Sequence, residues 1–495
     1  MRRFLTSGAL CAAMLIAAGA NADAAEPATA AISFHTCELR ATRGITAEKA
    51  RCGTLTVPED RAKPHGRQIK LFVAVLPALA AKPAPDPLFF IAGGPGESAV
   101  DGYFAEAGAF DSIRKQRDIV LVDQRGTGKS APLECPAQEQ AAAAIQAPNP
   151  AQQKALVKAC LEHLSGDPRY YTTSAAIADL DAVRAALGAK EINLYGISYG
   201  TRVALEYLRY YGAHVRSVVL DGVVPADLAL GPQVSVNAQR ALKLVFDRCA
   251  HDKACAAHFP ALPEEFARLN AQLRAHPAKL TLPDPLTGAP RTVTLTQDAF
   301  ASGVRLLTYT SETVSLLPLL IHQAAAGDPG PLANLVSMIN SDVTGSMSQG
   351  MQLSVVCTED VPFYQPAQLE TAAARDTYLG SQTLDALENA CRVWPRGVIR
   401  DGFKQPVVSA KPVLLISGAD DPITPPKNAV HAAKTLNGSL SIVVPGQGHG
   451  NAFRGCLPRV MAQFVAAASV KGLDTGCVKR IRPAPFFSSY TGPAP

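Results

Sequence analysis

Between Cys52 and Ala78, apolar and polar residues alternate on either side of a Pro/Lys/Gly turn (CGTLTVPEDRAKPHGRQIKLFVAVLPA). Successive side chains of a strand point to opposite faces, so this period of two predicts a β-hairpin. The pattern then changes. Short, largely apolar runs follow at Pro87–Ala92 (PLFFIA), Asp118–Val122 (DIVLV), Glu191–Tyr195, Arg216–Leu220 (RSVVL), Pro412–Ser417 (PVLLIS) and Ser439–Val444. Each has the length of a strand buried on both sides. Helical spacing lies between them: Ser174–Leu187 carries Ile177, Leu180, Val183 and Leu187 on one face, and helices are also read at Arg202–Tyr211, Lys427–Leu436 and Leu457–Val470. Strands alternating with helices predict an α/β fold, a mostly parallel sheet with helices on both faces.

The alternation stops near Pro225. From there to about Arg400 the chain reads as helices with Pro/Gly breaks, at Ala238–Cys249, Leu262–His276, Asp298–Ala325 and Ser381–Cys391. The organisation that follows is a first core segment over 25–224, a helical cap over 225–400 and a second core segment with a tail over 401–495. The Ala-rich run near Gln138–Ala151 is the one low-complexity stretch.

Residues 1–24 read as a secretory signal peptide. Arg2 and Arg3 precede the apolar run Ala9–Ala20, and the small-x-small sites Ala20-Asn21-Ala22 and Ala22-Asp23-Ala24 follow it. The run is short of the roughly 20 residues a membrane span needs. A lipoprotein-type role for Cys11 is the alternative. Export to the periplasm or beyond is therefore expected, with no membrane anchor. Removing Cys11 leaves ten of eleven cysteines, in the sequence-local couples Cys37/Cys52, Cys135/Cys160, Cys249/Cys255, Cys357/Cys391 and Cys456/Cys477. In an oxidising compartment such couples suggest disulfides, and nearest-neighbour pairing is the working hypothesis. Net charge is +5 over 495 residues without basic or acidic blocks, so no nucleic-acid or membrane-surface partner is implied.

The decisive motif is Gly196-Ile197-Ser198-Tyr199-Gly200, set between a strand and a helix. There G-x-S-x-G forms a nucleophile elbow, with Ser198 as nucleophile and the Tyr199 N–H as half of an oxyanion hole. A serine hydroxyl needs a base, and the base an orienting carboxylate, in the chain order Ser, acid, His. Asp421 follows a buried strand and precedes Pro422; adjacent Asp420 is the alternative acid. His449, in Gly446-Gln447-Gly448-His449-Gly450, is the expected base, while His431 and His214 are read as structural. Gly93-Gly94-Pro95-Gly96 after the PLFFIA strand is placed to supply the other oxyanion donor, from Gly93 or Gly94. Gly126–Ser130 ends like a phosphate-binding loop, but Asp123 stands where that motif requires glycine. The chemistry calls for no metal or organic cofactor.

GGPG, DQRGTGKS, GISYGT, DPITPP and GQGHG, in that order, resemble the proline iminopeptidase and tripeptidyl aminopeptidase branch of the α/β-hydrolases. The resemblance implies a Ser198–Asp421–His449 triad and peptide substrates with a free N-terminus. The signal segment, paired cysteines and large insertion look most like the secreted tripeptidyl members. Two positions depart from the pattern: Ala92 replaces the usual His before GGPG, and Glu97 follows it where Gly or Ala is common. Both weaken the case for free N-terminal proline as the preferred substrate. Cys357-Thr358-Glu359-Asp360 resembles the acidic motif after a cap cysteine, which makes Glu359, then Asp360, the expected acceptor of the substrate α-amine. An exported ester hydrolase with the same triad is the competing reading.

Overall fold

A computed structural model describes residues 31–42, 46–136, 149–283, 288–365 and 376–493. The expected signal segment 1–24, with Cys11, and most of the Ala-rich run lie outside the described residues. Among those described, a nine-stranded sheet forms the centre, in the order β1-β2-β3-β5-β4-β6-β7-β10-β11. Its antiparallel side is β1 (His35–Arg40), β2 (Ala47–Pro58) and β3 (Gln68–Leu76). The rest are β4 (Leu88–Ile91), β5 (Ile119–Val122), β6 (Ile192–Ile197), β7 (Val215–Asp221), β10 (Ser409–Gly418) and β11 (Leu436–Val444). These six run parallel to one another, and β3 meets β5 antiparallel.

Alternation along the strands divides the core into two layers, because odd and even residues face opposite ways. Phe89, Ile91, Val413 and Leu415 pack on one face and Leu88, Phe90, Leu414 and Ile416 on the other. Helices of the first core segment are α1 (Ala99–Glu106), α2 (Asp111–Arg114), α3 (Pro150–His163), α4 (Thr173–Ala186) and α5 (Tyr199–Tyr211). The first layer is closed by Ile177, Leu180 and Val183 of α4 and Val203 and Leu205 of α5. The second is closed by Tyr103 of α1 and by Val460, Met461 and Phe464 of a C-terminal helix (Leu457–Ala467). The α/β expectation, helices on both faces included, is what the chain adopts.

Between β7 and β10 lies the cap, with its own apolar core. Its helices are α6 (Val234–His251), α7 (Lys253–His258), α8 (Leu262–Ala275), α9 (Gln297–Leu307), α10 (Ser311–Ala325), α11 (Gly330–Ser346), α12 (Gln349–Glu359) and α13 (Gln382–Cys391). Two details correct the sequence reading. The cap is not wholly helical: β8 (Ala278–Pro283) and β9 (Pro290–Leu295) pair antiparallel, burying Leu282, Val293 and Leu295. The single helix expected over Asp298–Ala325 is two, broken at Thr308-Tyr309-Thr310, where Thr310 caps α10 by accepting the Thr313 N–H. The five nearest-neighbour cysteine couples are all disulfides. Among the described residues no helix is long and apolar enough to cross a membrane.

Phe90 sits at the centre of the second layer, against Tyr103, Phe110 and Tyr195 with ring centroids 5.3–6.0 Å away. Phe90→Ala is expected to cost about 3–5 kcal/mol, since the neighbouring rings cannot collapse into the space. An unfolding free energy in urea that falls by less than a quarter of that would show the layer to be loosely packed.

Candidate active site

Ser198 occupies the single residue between β6 and α5, with φ 55° and ψ −124°. A residue with a side chain rarely adopts a positive φ, so the surroundings must impose it. They grip it on both sides: the Ser198 N–H donates to Asp221 O at 2.8 Å, and Ser198 O accepts from the Thr201 N–H and hydroxyl at 2.9 and 2.6 Å. A Cβ at Gly196 would overlap Gly200 O, and one at Gly200 would overlap the carbonyls of Ile91 and Ala92. Strand and helix meet this closely only because both positions are glycine.

Asp421 lies in the turn after β10 and is wholly buried. Its Oδ1 accepts the N–H groups of Ile423 and Thr424, both at 2.8 Å, and its Oδ2 accepts the Thr424 hydroxyl at 2.7 Å and His449 Nδ1 at 2.8 Å. Thr424 Oγ1 is also 3.0 Å from His449 Nδ1. With Nδ1 engaged, Nε2 is the ring nitrogen left to take a proton. The loop carrying His449 is seated on the break between α9 and α10: the His449 N–H donates to Tyr309 O at 2.7 Å, and the Tyr309 ring meets the imidazole edge-on at 5.3 Å. Ser198 is half-buried beside this loop, and no hydrogen bond joins its hydroxyl to His449 in this structure. Gly222 lies against the imidazole, since a Cβ there would be 2.8 Å from His449 Cε1 and 2.9 Å from Thr424 Oγ1. Asp420 points elsewhere, among Arg240 and Arg248, so of the two adjacent carboxylates Asp421 is the one joined to the histidine. His431 pairs with Asp227, and His214 meets the Lys190 carbonyl.

Electrostatics separate these groups. Burial alone would raise the Asp421 carboxyl, but the His449 charge and hydrogen bond and the two N–H donors outweigh it and hold it below its ordinary value. Burial alone would lower His449, but Asp421, then Asp221 and Glu97, raise it above its ordinary value. Glu97 is pushed up to about 7, by burial first and by Asp101, against the pull of the Gly93 N–H and of His449. Glu97 and His449 thus each favour the charged form of the other.

Glu97 also distinguishes Gly93 from Gly94, the two positions expected to offer an oxyanion donor. Its Oε2 accepts the Gly93 N–H at 3.0 Å, which occupies that donor. The Gly94 N–H has no acceptor among the described residues, and the Tyr199 N–H is one of the orphan donors at the start of α5. The Tyr199 ring is locked by its hydroxyl, 2.6 Å from Thr173 Oγ1 and 3.1 Å from Gln124 Nε2.

Glu359 and Asp360 depart from the role expected of them. Both are wholly buried. Asp360 is paired with Arg202 of α5 at 2.7 and 3.1 Å and accepts the Leu230 N–H at 2.8 Å. Glu359 accepts the Thr173 N–H and hydroxyl at 2.6 and 2.8 Å. Their oxygens are taken by partners within the protein, so an incoming ammonium finds no open carboxylate here. The motif fastens the end of α12 to the two core helices nearest Ser198. Sequence reasoning also missed Thr424, Tyr309, Asp221 and the Glu97 contact. Only Thr424 had a local signal, an Asp followed three residues later by Thr in a Pro-containing turn.

Two outcomes follow. Glu97→Gln removes a negative charge beside His449, so the acid limb of kcat/KM is expected to fall by about half a pH unit or more; an unmoved limb would place no charge there. Asp360→Asn leaves the Arg202 guanidinium buried and half-compensated, at an expected cost of about 3–5 kcal/mol in urea unfolding. A stable variant with a weakened KM for free-amine peptides would restore Asp360 to substrate recognition.

Residues 86–314 match the alpha/beta hydrolase fold family model, and residues 376–477 match that of the TAP-like proteins. The chain is 27% identical to the tripeptidyl aminopeptidase of Streptomyces coelicolor, over 95% of this chain and 90% of that protein. It is 26% identical to the serine protease Hip1 of Mycobacterium tuberculosis, over 86% and 87%. Carboxylesterase B of Mycobacterium tuberculosis is 29% identical over 82% of each chain. With both family models matched in chain order, and with this sheet and elbow, the chain is a hydrolytic enzyme of the α/β-hydrolase fold, with a C-terminal segment similar to the TAP-like proteins.

Proposed function

We propose that the protein is an exported serine aminopeptidase, releasing short peptides or single residues from free N-termini through an acyl-enzyme. The observation that carries the hydrolytic part is the 2.8 Å bond between Asp421 and His449 beside a strained Ser198. In this reading His449 Nε2 takes the Ser198 proton as Oγ attacks the scissile carbonyl. The tetrahedral oxyanion is held by the N–H groups of Gly94 and Tyr199. His449 then returns the proton to the leaving amine, and water releases the acyl group by the same steps in reverse. Asp421 fixes the tautomer and stabilises the imidazolium. The peptidase part is supported by the likeness to the tripeptidyl aminopeptidase and to Hip1. Export is supported by the N-terminal segment and by five disulfides.

A second reading, carboxylic-ester hydrolysis, is favoured by one observation: the acidic motif expected to meet the α-amine is buried and already paired. A tripeptide anilide, its N-acetylated form and a short acyl ester separate the two. Cleavage of the free-amine compound alone is the expected result, whereas indifference to acetylation or a strong ester preference would move the function to an esterase. Ser198→Ala is expected to abolish turnover and fluorophosphonate labelling, a loss of at least about 10³-fold, with melting unchanged. Retained activity would dismiss Ser198 as nucleophile.

A further inference from the structure

Asp221 ends β7, next to the strand that delivers Ser198, and is wholly buried. Its two polar ends serve different parts of the site. The backbone carbonyl accepts the Ser198 N–H at 2.8 Å. The carboxylate Oδ2 accepts the N–H groups of Asn451 and Ala452, each at 2.7 Å, and the Tyr195 hydroxyl at 3.2 Å. Asn451 and Ala452 follow His449 by two and three residues, so the carboxylate holds the histidine loop from behind while the carbonyl holds the elbow. We propose that Asp221 is a positioning residue for catalysis, fastening the nucleophile elbow and the histidine loop to one strand end. This rests on the reading of Ser198 and His449 as nucleophile and base.

The charges around the bracket are specific. His449 faces Asp421, Asp221 and Glu97. Asp221 faces Tyr195, His449 and Glu106; burial pushes it up to about 6 against its three donors and the His449 charge. Glu106, the last residue of α1, faces Asp221, Glu97 and Arg454, and burial with its acidic neighbours drives it well above the carboxylate range. Asp221, with its two N–H donors, is the carboxylate that both grips the loop and favours an imidazolium at His449. A bracket of this kind predicts two effects from one substitution. Asp221→Asn keeps the shape, so the fold survives, but it replaces an ionised acceptor of two N–H groups by a weaker neutral one and removes a charge near the imidazole.

The test is the rate of fluorophosphonate labelling of the full mature protein across pH. For Asp221→Asn the expected result is a rate roughly 10- to 100-fold lower, from the loosened base. Its acid limb should also move downward by about half a pH unit or more, since the lost negative charge had favoured the charged imidazole. Glu106→Gln, at a carboxyl that makes no hydrogen bond to His449, Asn451 or Ala452, is expected to stay within about twofold with its limb in place. A wild-type protein that labels while Asp221→Asn matches it in rate and limb overturns the proposal alone. A wild-type protein that does not label overturns the hydrolase reading and the proposal with it. Should Asp221→Asn not fold, amide exchange on the wild-type protein decides. Protection of the Asn451 and Ala452 amides, lost as pH falls through about 6 and Asp221 takes up a proton, upholds the bracket. Amides no better protected than exposed Phe453 overturn it.

Discussion

Three parallel strands that end level with one another are the constraint on which the site is built. Ile197 of β6 lies beside Asp221 of β7, and Asp221 beside Ile416 of β10. Ser198 begins one residue past that line and Asp421 five. One strand further out, Val444 of β11 pairs with Gly418, and His449 follows five residues later. Parallel pairing puts every one of these carboxyl ends on the same edge of the sheet, so residues distant in sequence meet without long loops. The loops must then pass close together. A Cβ at Gly418 would overlap the carbonyls of Gln447 and Gly448, and one at Gly448 would overlap Tyr309 O. The glycines around the acid and the base are there because backbone meets backbone.

The same crowding concentrates acids. Asp421, Asp221, Glu97 and Glu106 are all withdrawn from water behind or beside one imidazole, and burial by itself pushes each of them up. What separates them is the number of donors. Asp421 has two N–H groups, a hydroxyl and the histidine, and is held down. Asp221 has two N–H groups and a phenol, and Glu97 one N–H. Glu106 Oε2 has no partner, nor has Asp221 Oδ1, and burial with acidic neighbours drives the Glu106 carboxyl well above its ordinary value. Hydrogen bonds to a charged group contribute about 1.5–3 kcal/mol each, so they work against burial at each carboxyl. At Asp421 the His449 charge adds to them, and there the balance falls on the lowered side.

Much of this was legible in the chain. The alternation of the strands, the G-x-S-x-G turn and the GQGHG loop each carry a local signature with one physical reading. The choice of Asp421 over Asp420 was legible through Pro422 and the TPP after it, which fix the turn. The rest depends on contacts made across the fold. Asp221 reads as any strand-ending aspartate until Asn451 and Ala452 are brought to it, 230 and 231 residues away. The break at Thr308–Thr310 looks like continuous helix until the histidine loop needs the Tyr309 carbonyl. Leu280 and Leu282 of β8 alternate as a strand should, but a helical neighbourhood masked them.

Glu359 and Asp360 show how a correct motif can carry a different task. As an amine acceptor the pair would need open oxygens facing the cleft. Instead Asp360 and Arg202 form a charge pair with no exposure on either side, and Glu359 reaches the Tyr199 ring through Thr173. Separating a buried pair of this kind leaves each charge only its second partner, Glu359 for Arg202 and Lys404 for Asp360, both at 3.7 Å, at a cost of several kcal/mol. The C-terminal end of α12 therefore cannot lift from the core as part of ordinary substrate entry. Its N-terminal end is fastened as well, since the Ser348 N–H donates to Gly96 O at 2.9 Å in the Gly93–Gly96 loop. Both ends of α12 thus bear on the elements that hold the two proposed oxyanion donors, Gly94 and Tyr199. Through α12 the cap is joined to the sheet edge that carries Ser198, and a change in α12 is transmitted to the backbone around Gly94 and Tyr199 by these contacts.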